Sequence, residues 1–173
     1  MRNYLLIISL VFIFSCGGEK NEEEFGREVF QTFIDNNPGA FKRLYVTMAD
    51  MRNIIEDAEI PADMKSNARK NIQAKAAFWR TISKIEFNHI RFRAYEDGVN
   101  WQDTEIISVT SQQATFDLLG WHHYDKNYGI EVKDIHVEFI SNKDTFILHL
   151  DDCVKTRQGW KMTEDVRIRR KRW

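Results

Sequence analysis

Two histidines and two aspartates in the C-terminal third have the spacing that could do chemistry. They sit in two alternating runs, 130–141 and 145–155, separated by Asn142-Lys143. In the first run Ile135, Val137 and Phe139 alternate with Asp134, His136 and Glu138; in the second Phe146, Leu148 and Leu150 alternate with His149 and Asp151. Period-two alternation marks a half-buried strand. The two apolar sets must share a face, because a one-residue slip would send one of them to water. With so short a turn, Phe139 pairs with Phe146 and Val137 with Leu148. On the opposite face His136 then meets His149, and Asp134 meets Asp151. Cross-strand neighbours lie about 5 Å apart, close enough for two imidazoles and a carboxylate to share one cation, so His136 and His149 are candidate metal ligands. No spacing motif of a known metal site accompanies them. A solvated outer sheet face accounts for the same residues, and no bound metal is expected.

Three further groups could carry chemistry. Trp121-His122-His123-Tyr124-Asp125-Lys126-Asn127-Tyr128-Gly129 is the richest local cluster. Aromatic faces with interspersed donors suit stacking on a flat ligand, so Trp121, His123, Tyr124 and Tyr128 are candidate ligand-binding residues. The plainer account is a hairpin end whose aromatics cover the core. His89 falls on an apolar helical stripe and Glu164 interrupts the apolar face of the last strand; these are the candidate catalytic acid–base groups. A lone histidine on such a stripe is ordinarily a hydrogen-bonded core residue, and no partner stands at defensible spacing, so no mechanism follows. Arg167, Arg169, Arg170, Lys171 and Arg172 make the C-terminus basic. Such a cluster could engage anionic headgroups, or be the wet face of the last strand. Nothing resembles a phosphate-cradling glycine loop, a serine elbow or a paired-cysteine site, and no cofactor is expected.

The elements that must position these residues are helices first and strands second. Phe25, Val29, Phe30 and Phe33 share a helical face. Asn37-Pro38 starts a second helix, with Asn37 as cap and Pro38 at the first helical position. Its apolar stripe runs through Phe41, Leu44, Tyr45, Met48, Met51 and Ile55 to Pro61. A third, long or broken helix carries Met64, Ala68, Ile72 and Ala76, then Phe78, Ile82, Ile85, His89 and Phe92, and stops at Asp97-Gly98. Strands are expected at 104–111, 115–121, 130–141, 145–155 and 160–168. Helices followed by an antiparallel meander predict an α+β domain with the helices on one sheet face.

This order, with the Gly98-Val99-Asn100-Trp101 exit from the helices and the terminal hairpin through Gly159-Trp160-Lys161-Met162, resembles the cone-shaped nuclear-transport-factor-2-like and cystatin-like domains. That resemblance implies a curved sheet around a pocket used variously by isomerases, hydrolases, ligand carriers and dimers. It is architectural and assigns no activity.

The N-terminus carries an address. Arg2 precedes an apolar run from Tyr4 to Phe14, too short for the roughly 20 residues that span a bilayer but of signal-peptide length. It ends Ile13-Phe14-Ser15-Cys16-Gly17. The junction resembles the lipobox of Bacteroidota-type lipoproteins, departing from it at Phe14. That resemblance implies a signal peptide over 1–15, a lipidated Cys16 heading a tether over 16–24, and a single domain over 25–173. Lipidation would leave Cys153 as the lone thiol and would attach the chain to the outer membrane, facing the periplasm or the cell surface. Lys20-Asn21-Glu22-Glu23-Glu24 resembles a surface-export signal interrupted by Asn21.

Composition bounds the rest. The 173 residues, 43% hydrophobic and 29% charged, describe one globular domain, not a disordered chain or a polytopic membrane protein. A net charge of −1 removes the simplest argument for nucleic acid as a partner. The reading that results is a lipid-anchored, non-enzymatic envelope domain binding a small ligand or a protein partner. The alternatives are a cone-fold isomerase or hydrolase, and a structural subunit of an envelope complex. A pocket holding ionisable groups would favour the enzyme; a filled cone with exposed apolar surface would favour the subunit.

Overall fold

The computed structural model describes residues 20–114 and 128–171, with the side chains of 73–82 and 84 left out. Helix α1 (Glu22–Ile34) starts where Asn21 accepts a hydrogen bond from the Glu24 backbone and the Glu24 carboxylate answers to the Asn21 N–H. This capping box, with acidic residues in the first turn, suits the positive end of the helix. The helix therefore begins inside the stretch read as tether. Phe25, Val29, Phe30 and Phe33 are all buried, as the spacing predicts.

Gly26 shows how close α1 comes to the sheet. A Cβ there would stand 2.9 Å from Val109 Cγ1, 3.1 Å from Ile135 Cγ2 and 3.2 Å from Val137 Cγ2. Glycine within a helix costs about 1 kcal/mol relative to alanine, yet overpacking costs about 1–3 kcal/mol. Gly26→Ala is expected to lose about 1 kcal/mol net in urea unfolding. A more stable variant would show that the valine and isoleucine methyls yield.

The stripe from Phe41 to Ile55 is not one helix. It divides into α2 (Pro38–Arg43) and α3 (Met48–Asp57). Asn37 caps α2 and Pro38 opens it, as expected. Between the helices the chain extends: Met162 N–H donates to Leu44 C=O (2.9 Å) and Val46 N–H to Met162 C=O (3.0 Å), a parallel bridge. Thr47 and Asp50 then form a new capping box. A long-range pairing thus interrupts a pattern that local periodicity reads as continuous.

Helix α4 (Ala62–Glu96) runs unbroken for 35 residues and ends with Gly98 at φ +97°, the left-handed position expected after Asp97. Among the described residues five strands follow: β1 (Thr104–Gln113), β2 (Val132–Ser141), β3 (Asp144–Thr156), β4 (Gly159–Lys161) and β5 (Val166–Arg170). They form one antiparallel sheet in the order β1-β2-β3, with β4 and β5 both on the far side of β3. The architecture is α+β, with helices packed on one face of a curved sheet. The strand expected at 115–121 lies outside the described residues.

The β2–β3 register is the one required by parity. Phe139 pairs with Phe146, Val137 with Leu148 and His136 with His149. Asn142 and Lys143 have φ of +50° and +72°, the two positive angles that a tight I′ hairpin turn needs. One correction applies at the far end. The register shifts between Lys133 and Ile135, so Asp134 faces a bulge at Asp151 and Asp152 instead of Asp151 alone. The last strand is likewise interrupted, with residues 162–165 separating β4 from β5.

Helices and sheet close on aromatic side chains. Phe33 lies 4.9 Å from Phe87, 5.1 Å from Phe41 and 5.3 Å from Trp101, centroid to centroid, and Phe30 lies 4.7 Å from Phe139. All are buried. These rings fill the space between α1, α2, α4 and the sheet.

Candidate functional site

The clearest meeting of functional side chains lies where α4 passes the free edge of β5. Helical spacing places Glu86, His89, Ile90, Arg93 and Asp97 along the same side of α4, one turn apart. Strand alternation sends Val166 and Ile168 toward the core and Arg167 and Arg169 to the outer face. A cleft of about 470 Å³ is lined by His89, Ile90 and Arg93 of α4, His149 and Asp151 of β3, and Val166 to Arg169 of β5. A second cleft of about 960 Å³, lined by Glu96, Asp97, Ile168, Arg169, Arg170 and Lys171, shares Ile168 and Arg169 with it.

Glu86 lies one turn before His89 and Ile90 on α4 and bonds to the start of β5. One carboxylate oxygen accepts from the Tyr45 hydroxyl at 2.5 Å and the other from the Val166 N–H at 2.9 Å. Burial, reinforced by the negative charge of Asp165, pushes the Glu86 carboxyl up from its ordinary range, although its two hydrogen bonds oppose this. Burial and the facing carboxylate also raise the Tyr45 phenol far above its ordinary value. The pair ties α4 to the α2–α3 bridge and to the start of β5. Sequence reading missed it, because Glu86 stands one position from a buried phenylalanine and its partners are 41 and 80 residues away.

His89 does not occupy the inward position expected of it. It is exposed, with Ile85 (68% exposed) and Phe92 (59%) on the same stripe, whereas Phe87, Ile90 and Ala94 are buried. This stretch of α4 carries two apolar stripes nearly opposite one another. The docking of Phe87 on Phe33 and Phe41 decides which faces in. Glu164 is not on a strand face; it is exposed in the bend between β4 and β5. Neither is held in the apolar interior expected of it.

His136 and His149 do meet, with ring centroids 4.3 Å apart at 60°. The carboxylates expected to complete a metal site are engaged elsewhere. Asp134 accepts from the Asp152 N–H at 3.1 Å and from Gln112 Nε2 at 3.3 Å, and Asp151 pairs with Arg167. Among the described residues no group of three or more histidines, cysteines, aspartates or glutamates is placed to hold a metal. His149 Nε2 is buried without a hydrogen-bond partner. Burial first, then the neighbouring His136 and Arg169, push its pKa down to about 4, against the opposing pull of Asp151.

That shift has a sign. The unfolded imidazole takes a proton near its ordinary value of 6.5, the folded one only near 4. The resulting stability is present above about pH 6.5 and lost as pH falls toward 4. Discounted for partial exposure, it amounts to about 1–2 kcal/mol. His149→Gln is expected to lose less stability than the parent chain between pH 7 and 4.5; equal losses in urea titrations would refute the shift.

The other candidates divide. Tyr128 sits at φ +48°, half-buried against the core, and its carbonyl accepts from the Glu59 N–H at 2.8 Å. Trp121, His123 and Tyr124 lie outside the described residues, as do the 1–15 segment and Cys16. Cys153 is fully buried at the β3 bulge, where burial raises its thiol pKa. Of the basic cluster, Arg167 pairs with Asp151, Arg170 with Asp144 and Lys171 with Glu138. Lys20 pairs with Glu28, and Glu22 with Lys133, so the Lys20 to Glu24 stretch is built into the start of α1.

No protein-family model matches the chain, and no curated protein does. Among solved structures it is similar to a cystatin-like protein from Ruminococcus gnavus, at 9% identity and a TM-score of 0.45. The match covers 88% of this chain and 45% of that one, so this chain spans less than half of that protein's length.

Proposed function

We propose that the chain is a lipid-anchored domain of the bacterial outer membrane, facing the periplasm or the cell surface, that works non-enzymatically by engaging a protein partner through its surface. The observation that carries the partner reading is an exposed apolar stripe on α4. Beneath it Phe30, Phe33, Phe41, Phe87, Trp101 and Phe139 pack ring against ring between the helices and the sheet. The buried Glu86–Tyr45 pair is engaged in holding three elements together. Meanwhile Ile85, Phe92 and Tyr95 stand 68%, 59% and 74% exposed along α4. An apolar stripe of that kind, rimmed by polar residues, is the ordinary mark of a protein contact.

Anchoring rests on the apolar run ending at Ser15-Cys16. Attachment is assigned to acyl chains at Cys16, each buried CH₂ contributing about 0.8 kcal/mol; among the described residues no helix is long and apolar enough to cross a membrane. Cys16→Ser is expected to abolish acyl labelling and move the protein from the detergent phase to the aqueous phase. Unchanged partitioning would sink the anchor. A photo-crosslinker at Phe92 is expected to yield a discrete adduct in cells, and its absence would remove the partner reading.

A further inference from the structure

Among the described residues no strand pairs with the outer edge of β5. Asp165 C=O accepts from the Asp151 N–H, and Lys171 N–H donates to Thr145 C=O, so the odd-numbered residues of this strand turn their backbone groups toward β3. By alternation Val166, Ile168 and Arg170 turn theirs to the other side. Glu86 satisfies the Val166 N–H. The N–H groups of Ile168 and Arg170 and the carbonyls of Val166 and Ile168 have no partner among the described residues. Two clefts that share Ile168 and Arg169 lie along this same edge, with α4 residues on their far side.

We infer that this edge receives an extended segment of the partner protein as an added strand, with acidic and apolar side chains in alternation. The inference rests on the partner reading above and names its site. Residues opposite Arg167 and Arg169 would share the outer face with those guanidinium groups, while the intervening ones would lie toward Ile90 and Ile168. Arg93 and Arg169 line the first cleft, where no carboxylate pairs with them among the described residues, while Glu96 and Asp97 line only the second. Arginine forks match carboxylates in two-point geometry. Addition to a sheet edge takes its affinity from main-chain hydrogen bonds and its selectivity from alternate side chains. The same arginines oppose pairing of β5 with β5 of a second copy, since like charges directly across a ladder repel. The occupant is therefore a different, acidic strand.

The test uses the full-length chain in detergent and a fluorescent Glu-Val-Glu-Val-Glu-Val peptide. Saturable anisotropy is expected, with slowed amide exchange at Ile168 and Arg170 and not at Arg167 or Arg169. A peptide N-methylated at alternate residues should bind at least tenfold more weakly, as should the parent peptide to Arg93→Glu/Arg169→Glu, whose unfolding temperature should match the parent chain. Equal binding of the N-methylated peptide would mean simple charge attraction and overturn the added strand. So would absence of binding at millimolar peptide. A Phe92 crosslink that survives in Arg93→Glu/Arg169→Glu would leave the partner reading standing and place the contact elsewhere than this edge.

Discussion

Replacing Phe33 by alanine is expected to cost about 3–5 kcal/mol, the range for truncating a fully buried phenylalanine. The ring is inaccessible to solvent and contacts three other aromatic rings contributed by α2, α4 and the segment before β1. Its removal withdraws apolar surface and leaves a cavity that Phe41, Phe87 and Trp101 cannot all collapse into, since each is held by its own element. Against a typical total of about 5–15 kcal/mol, the melting temperature should fall by on the order of 10 °C. Phe92→Ala on the opposite stripe of α4 should stay within about 0.5 kcal/mol of neutral. Urea titrations of the two variants measure the orientation of α4 directly. A larger loss at Phe92 would place the His89 stripe inside, contrary to the fold described.

Glu86→Ala is expected to cost about 2–4 kcal/mol, because the Tyr45 hydroxyl and the Val166 N–H both lose their acceptor at a half-buried site. Glu86→Gln retains one acceptor oxygen and should lose less. The pH dependence adds a second signature. Burial raises the folded carboxyl above its ordinary 4.5, so the folded state holds the proton more tightly than the unfolded chain. Its contribution is complete below about pH 4.5 and diminishes as pH rises through the folded value. The stability difference between the parent chain and Glu86→Gln should therefore shrink on raising the pH. That slope is opposite in sign to the one expected of His149, so the two variants separate the groups. A difference that stayed flat with pH would remove the raised carboxyl from the account.

Local rules explain why some features were legible. The faces of α1, the Asn37-Pro38 start, the Gly98 stop and the β2–β3 register each depend on residues within a few positions or on parity across a two-residue turn. Parity is unforgiving, since a slip inverts a whole face. That is why the His136–His149 pairing was predictable to the residue. It is also why the Asp134–Asp151 pairing failed, because the bulge adds a residue on one strand only, and no local signal announces it.

The α4 groove was illegible for a different reason. Ile85, His89 and Phe92 make as good an amphipathic stripe as Phe87, Ile90 and Ala94. Periodicity detects a stripe without saying which of two is buried. Likewise Tyr45 reads as helix until Met162, more than a hundred residues later, offers it a strand partner. The sequence by itself determined an α+β domain, its hairpin register and an N-terminus that resembles a lipoprotein's. Only tertiary packing decided that Glu86 turns in and His89 out, and that the β5 edge has no strand partner among the described residues beside a row of arginines. Those outcomes depend on contacts between segments distant in the chain, which pattern along the chain does not encode.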